Sequence, residues 1–198
     1  GGTFTAPVHA SPQFVYSLYA YDNGSIKVKD SATIANFTSQ LSAYYGGLIK
    51  VDGNATIAAT DEDNEAISAG SGGIIRVDNS SITGGVWSGE NSTVRFESTS
   101  QSGGYVQIAR NGTLRTTGAS SIDTAGFNFS GSTGANIGLR DTTSVAGSPL
   151  NLSQYATVYI RDTVSFGGVG ITCQSQVNQV SFGANTTIGD LFGCPLNP

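Results

Sequence analysis

Few residues in this chain are suited to chemistry, and the densest group is the acidic run Asp61-Glu62-Asp63-Asn64-Glu65. Paired carboxylates perform acid/base glycoside hydrolysis when they face each other across a bond. Converging carboxylates also hold a hard cation such as calcium. Neighbours in one run do not face each other, so no catalytic residue is assigned. The run reads first as a solvated loop. If it binds a metal, Asp61, Asp63 and Glu65 are the ligands. His9 is the only histidine and lies in the unrepeated leader, which excludes a three-histidine zinc site within one chain. Gly70-Ser-Gly-Gly lacks the lysine and helix of a phosphate loop. No cofactor is expected.

Aromatic residues make a second group. Tyr19 and Tyr21 precede Ile26, Tyr44 and Tyr45 precede Ile49, and Trp87 is the only tryptophan. Rings beside Asn and Ser suit sugar binding, with an apolar face for the sugar ring and polar groups for its hydroxyls. The same rings suit packing at coil corners or between chains, where aromatics are enriched. Tyr19, Tyr21, Tyr44, Tyr45 and Trp87 are the ligand candidates. The two cysteines, Cys173 and Cys194, fit either a disulfide closing the last loop or two free thiols.

Composition narrows the class. The chain has 198 residues, 38% hydrophobic and only 12% charged, with 27 glycines and a net charge of -5. Regularly spaced Ile and Val separate it from disordered, turn-rich sequence. Its nine Lys and Arg are scattered singly along the sequence, so no basic patch is expected, and neither nucleic acid nor an anionic membrane is an expected partner. No apolar run has the length of a membrane-spanning helix. Nine Asn-x-Ser/Thr matches follow largely from repetition of one phrase.

That phrase must position everything else. Gly24-Ser-Ile-Lys-Val-Lys-Asp-Ser-Ala-Thr-Ile34 returns as Gly47-Leu-Ile-Lys-Val-Asp-Gly-Asn-Ala-Thr-Ile57 and again from Gly73 to Ile82. Echoes begin at Tyr105, Asn136 and Thr157. Apolar residues alternate within each short strand, as in Ile26-x-Val28 and Val158-x-Ile160, so one set faces a lumen. Such repetition predicts a solenoid. The first apolar positions are 26, 49, 75, 106, 137, 158 and 180, in steps of 21 to 31 residues. The expected fold is therefore all-β, a single-stranded parallel β-helix of about seven coils with short end caps. Residues 1-13 form a leader or N-terminal cap, 14-188 the β-helix and 189-198 a C-terminal cap. The middle is ambiguous. Val94 falls 12 residues before Val106, so either it lies inside a coil of 31 residues or the register shifts there. Asp30, Asp52, Asp78, Asp141 and Asp162 follow equivalent strands and are assigned to turns, with Arg76, Arg140 and Arg161 neutralising them.

The phrase resembles the β-helical parts of bacteriophage tailspikes and tail fibres, and it is similar to the passenger domains of autotransporter adhesins. The resemblance spans roughly residues 14 to 188. It implies a homotrimer at the virion tail, a receptor-binding or structural module that recognises host surface polysaccharide without being an enzyme. A trimer would also complement a thin core. The alternatives are a secreted or cell-surface adhesin and a polysaccharide depolymerase working with an Asp/Glu pair.

Overall fold

A computed structural model of the chain describes residues 3–5, 16–37, 39–59, 64–176 and 178–195. Every described strand runs parallel to its neighbours, in three sheets of eight, nine and eight strands. Sheet A runs from Thr3–Thr5 to Ser165–Phe166, sheet B from Tyr16–Ala20 to Leu191–Phe192, and sheet C from Ser25–Lys29 to Gln179–Phe182. The chain visits A, B and C in turn and then returns to A one layer higher. This is a parallel β-solenoid of eight turns, counted on sheet C.

The extra turn lies where the spacing was ambiguous. Ile75 pairs with Val94, and Val94 pairs with Leu114, all in sheet C. Val106 belongs to sheet B, opposite Val86. Two intervals of 31 residues are thus three coils, and the register-shift alternative is the one observed. The cause is Gln101. It holds the inward sheet A position that Ile82 and Ile122 hold in the coils on either side. A polar residue there hid the apolar pair that marks a coil. Gln101 is buried, and its amide nitrogen donates to the carbonyls of Gly84 and Gly103.

The solenoid also begins earlier than expected. Thr3–Thr5 pairs in register with Thr33–Ala35 of sheet A, inside the stretch read as a leader. At the other end, Leu191–Phe192 pairs with Ile171–Thr172 of sheet B, and a disulfide joins Cys173 to Cys194.

Three sheets enclose one lumen. Ile49, Ile57 and Ile67 meet there within one coil, all fully buried. Phe96, Phe129 and Phe166 fill it farther along. Burying each such side chain contributes about 1.5–3 kcal/mol. The lumen is filled by this chain alone, so the expected thin core is not found.

Corners need backbone shapes that few residues accept. Between sheets B and C the chain turns through two left-handed residues, as at Asp22-Asn23 (φ 50° and 62°), closed by the Gly24 N–H donating to Tyr21 O at 2.9 Å. Asn and Asp tolerate this geometry best; the same left-handed shape recurs at the corner between sheets C and A at Asp30, Asn79, Asp141 and Asp162, which accounts for such residues within the phrase. Between sheets C and A, buried hydroxyls stack where the first two coils have Ala32 and Ala55. Ser80 Oγ donates to Gly53 O at 2.6 Å, Thr99 Oγ1 to Val77 O at 2.9 Å, and Thr143 Oγ1 to Arg140 O at 2.6 Å. They add a side-chain hydrogen bond to carbonyls at the bend, among them that of Gly53, which also accepts the Ala55 N–H.

The glycine that opens the phrase has a steric reason. A Cβ on Gly47 would lie 2.2 Å from Ala20 O, and one on Gly73 would lie 1.9 Å from Ala43 O. Gly73→Ala is expected to destabilise the solenoid by about 1–3 kcal/mol, read as a lower urea midpoint. Gly138→Ala is the contrast, because a Cβ there meets only Arg115 Cγ at 3.8 Å. It should leave the midpoint unchanged or raise it.

Candidate functional site

Coil stacking brings together the five aromatics singled out above. Tyr19 and Tyr21 end the first sheet B strand and enter its turn, and Tyr44 and Tyr45 do the same one coil later. Trp87 lies two coils farther on, in Gly85–Ser88. Ring centroids are 5.8 Å apart for Tyr19–Tyr21, 6.1 Å for Tyr19–Tyr44, 4.9 Å for Tyr21–Tyr45 and 6.3 Å for Tyr44–Trp87. All fall in the range of direct ring contact. The result is a row of rings crossing four coils on the outer face of sheet B.

The coil between Tyr44 and Trp87 makes that row continuous. Gly70 occupies the sheet position next to Tyr44. A Cβ there would lie 2.7 Å from Tyr44 Cε1 and 2.9 Å from Trp87 Cζ3. With no side chain in the way, the two rings close over this coil. Trp87 also lies across Gly89, where a Cβ would meet its Cζ2 at 2.6 Å. Ser42 and Ser68 alternate with the lumen residues Leu41 and Ile67, so they face outwards, yet both are fully covered. Tyr44 Oη and Ser68 Oγ share a hydrogen bond of 2.7 Å. Tyr19, Tyr21 and Tyr45 remain 43%, 50% and 55% exposed.

Sequence reasoning missed a polar edge to this row. Tyr105 Oη donates to Glu65 Oε1 at 2.8 Å across two coils. Burial of the Tyr105 phenol, followed by the Glu65 charge and this hydrogen bond, pushes its ionisation far above the usual tyrosine range. Glu65, the last residue of the acidic run and one of its candidate metal ligands, begins a sheet B strand and is engaged by this phenol. Asp61 and Asp63 lie outside the described residues. Among the described residues no three His, Cys, Asp or Glu side chains group as a metal site. Nor do Glu90 and Glu97 stand ready as an acid/base pair. Ser71 donates to Glu90 at 2.6 Å and Arg110 donates at 2.8 Å, holding its carboxyl below the usual range. Arg95 donates to Glu97 at 3.0 Å.

The basic residues overturn another expectation. Lys27, Lys50, Arg76, Arg95 and Arg115 share one outward column of sheet C, on five successive coils. Arg140 and Arg161 follow on the next two coils, two residues further along. Singly scattered in sequence, they stack in space because one residue per coil repeats the same strand position. Part of the signal was in the phrase, where the residue after the first apolar position is basic at Lys27, Lys50 and Arg76; Arg95 and Arg115 join the column only once Val94 and Leu114 are placed in sheet C. Pairing is uneven along this face. Lys50 lies 3.5 Å from Asp52 and 3.8 Å from Asp78, whereas Arg115, Arg140 and Arg161 are in no ion pair among the described residues. Asp141 and Asp162 do not neutralise their arginine neighbours. Their carboxylates accept the backbone N–H groups of Gly118 (2.7 Å) and Asp141 (3.3 Å) at the corner.

No described helix is long and apolar enough to cross a membrane. No family model, curated protein or solved structure matches the chain. The fold is a parallel β-solenoid, and none of these comparisons ties it to phage tailspikes in particular.

The Tyr105 phenol links stability to pH. Its neutral form is favoured on folding, so its contribution is complete below the unfolded value of about 10 and is lost as pH rises above that. Denaturation midpoints should therefore fall between pH 9 and pH 11 (roughly one unit either side of that value) by less in Tyr105→Phe than in the parent. Equal falls in both proteins would remove the assigned role.

Proposed function

We propose that this protein is a non-enzymatic receptor-binding or structural module that presents the aromatic row of sheet B to a host cell-surface polysaccharide. The carrying observation is the continuous row of Tyr21, Tyr19, Tyr44 and Trp87, with Tyr45 beside it. Monomeric proteins rarely leave a contiguous apolar patch exposed without a use for it. Ring faces cover the apolar C–H faces of sugars. Hydroxyls and amides on neighbouring positions, such as Gln107 and Ser130 in the same outward column, offer hydrogen bonds to sugar hydroxyls. A flat row suits a chain of sugars lying along the solenoid better than one small molecule, which favours a concave pocket. The resemblance of the repeated phrase to tailspikes supports reading such a module as part of a virion tail. The adhesin reading places it on a secreted or cell-surface protein.

The resemblance also implies a homotrimer. The completed lumen removes the need for other chains to finish the core. The aromatic row is then the surface for which a partner chain and a polysaccharide compete. Light scattering in solution separates these uses. A trimer whose assembly survives Trp87→Ala supports the tail-fibre reading, and a monomer supports the adhesin reading.

Trp87 is the only tryptophan, so its fluorescence reports directly on the row. Titration with purified capsule or lipopolysaccharide fragments should shift that emission saturably. Tyr44→Ala and Trp87→Ala should each weaken binding by roughly tenfold or more, as loss of an aromatic anchor does. Unchanged binding by both variants sinks the proposal. Release of reducing ends or unsaturated sugars during incubation would instead identify a depolymerase.

A further inference from the structure

On sheet C, away from the aromatic row, Arg115, Arg140 and Arg161 border a groove of about 690 Å3 that Tyr159 also lines. The groove exists because of one residue. Gly138 follows Arg115 in the outward column, and Tyr159 follows Gly138. With no side chain at Gly138, a notch opens between a guanidinium and a ring, and a Cβ placed there meets only Arg115 Cγ. The three arginines stand on consecutive coils, whose strands lie about 4.8 Å apart; Arg140 and Arg161 share a column, and Arg115 lies two residues back along the strand, in the column of Gly138 and Tyr159. All three are exposed and free of ion pairs among the described residues. Other arrangements were open to this face. Toward the N-terminal end, the column beside the basic residues holds Asp52, Asp78 and Glu97. At the same column position the next coils carry Thr117, Arg140 and Arg161. Positive charge is thus concentrated around the notch, on a chain whose net charge is -5.

We infer that this groove is a second binding site, for a carboxylate-bearing sugar residue of an acidic polysaccharide. Arginine recognises a carboxylate through two parallel N–H donors. The coil spacing is close to the length of one pyranose ring along a glycan chain, and Tyr159 supplies a face for the ring. A nucleic acid fits less well. Its affinity grows with the number of phosphates neutralised, whereas Arg115, Arg140 and Arg161 gather at a single notch beside one aromatic ring. The choice of a sugar acid rests on the polysaccharide reading above. The location of the site rests on sheet C alone.

The test uses the whole chain and a defined linear oligogalacturonide, with a neutral oligosaccharide and a single-stranded oligonucleotide of similar length beside it. Calorimetry or amide-shift titration should show binding of the uronate oligomer and none of the neutral one at this groove. Raising salt from 50 to 500 mM (roughly threefold shorter screening length) should weaken it severalfold. The double variant Arg115→Gln/Arg140→Gln should weaken it at least tenfold. Gly138→Thr should do the same without changing any charge, because it fills the notch while suiting a strand. Circular dichroism of each variant should match the parent. Amide shifts on adding the uronate should fall on residues lining the groove and leave the aromatic row unmoved, which separates failure here from failure of the aromatic row. The inference is overturned if no uronate binds, if neither the arginine nor the glycine variant alters binding, if the shifts fall on the aromatic row instead, or if the oligonucleotide binds more tightly than the uronate.

Discussion

Parallel backbone pairing between one coil and the next sets the terms for every other feature of this molecule. Each strand donates and accepts along its whole length to the strands above and below, at a fixed separation of about 4.8 Å. A residue's place is therefore decided by its position within the coil, and its neighbours are its equivalents one coil away. Inward positions stack into continuous apolar columns, as Ile49, Ile75 and Val94 do. Outward positions stack into columns of whatever the coils supply. The corners must repeat too, and the left-handed pairs Asp22-Asn23, Glu90-Asn91 and Arg110-Asn111 show how few backbone shapes they permit.

Magnitudes decide which interactions hold the structure. The four ion pairs among the described residues are largely exposed, and such pairs contribute about 0–1 kcal/mol each. A single buried phenylalanine of the lumen outweighs them. Charge on sheet C is consequently free to serve recognition. Asp78 shows the cost of placing it badly: partial burial, and then the nearby Glu97, push its carboxyl up despite Lys50. Aromatic rings on sheet B follow similar logic. They cover Ser42 and Ser68, which outward positions would normally leave wet, while Tyr21 and Tyr45 stay half exposed.

Most of the fold was legible because the lumen demands Ile, Val, Leu or Phe at fixed intervals. Legibility failed where the lumen accepted something else. Gln101 donates its amide nitrogen to the carbonyls of Gly84 and Gly103, which holds it where isoleucine is usual, while its buried Oε1 has no hydrogen-bond partner among the described residues. One polar residue hid a coil and displaced the frame around Val94 and Val106. Hydroxyls at the corner between sheets C and A were partly legible as recurring Ser and Thr. Their work on buried carbonyls was not, because it depends on which carbonyl the bend exposes.

By itself, the sequence determined that this chain is a stack of parallel coils, which residues face its lumen in most of them, and which aromatics were worth watching. Local alternation and repeated turn chemistry are enough for that, since both are properties of a single coil. Only the tertiary structure decided what lies beside what. It joined Tyr44 to Trp87 over Gly70, gave Glu65 to Tyr105, and gathered arginines separated by 20 residues or more around Gly138. The reason is that adjacency in a solenoid depends on the length of every intervening coil. An interval misread by one coil moves each later residue to a different neighbour.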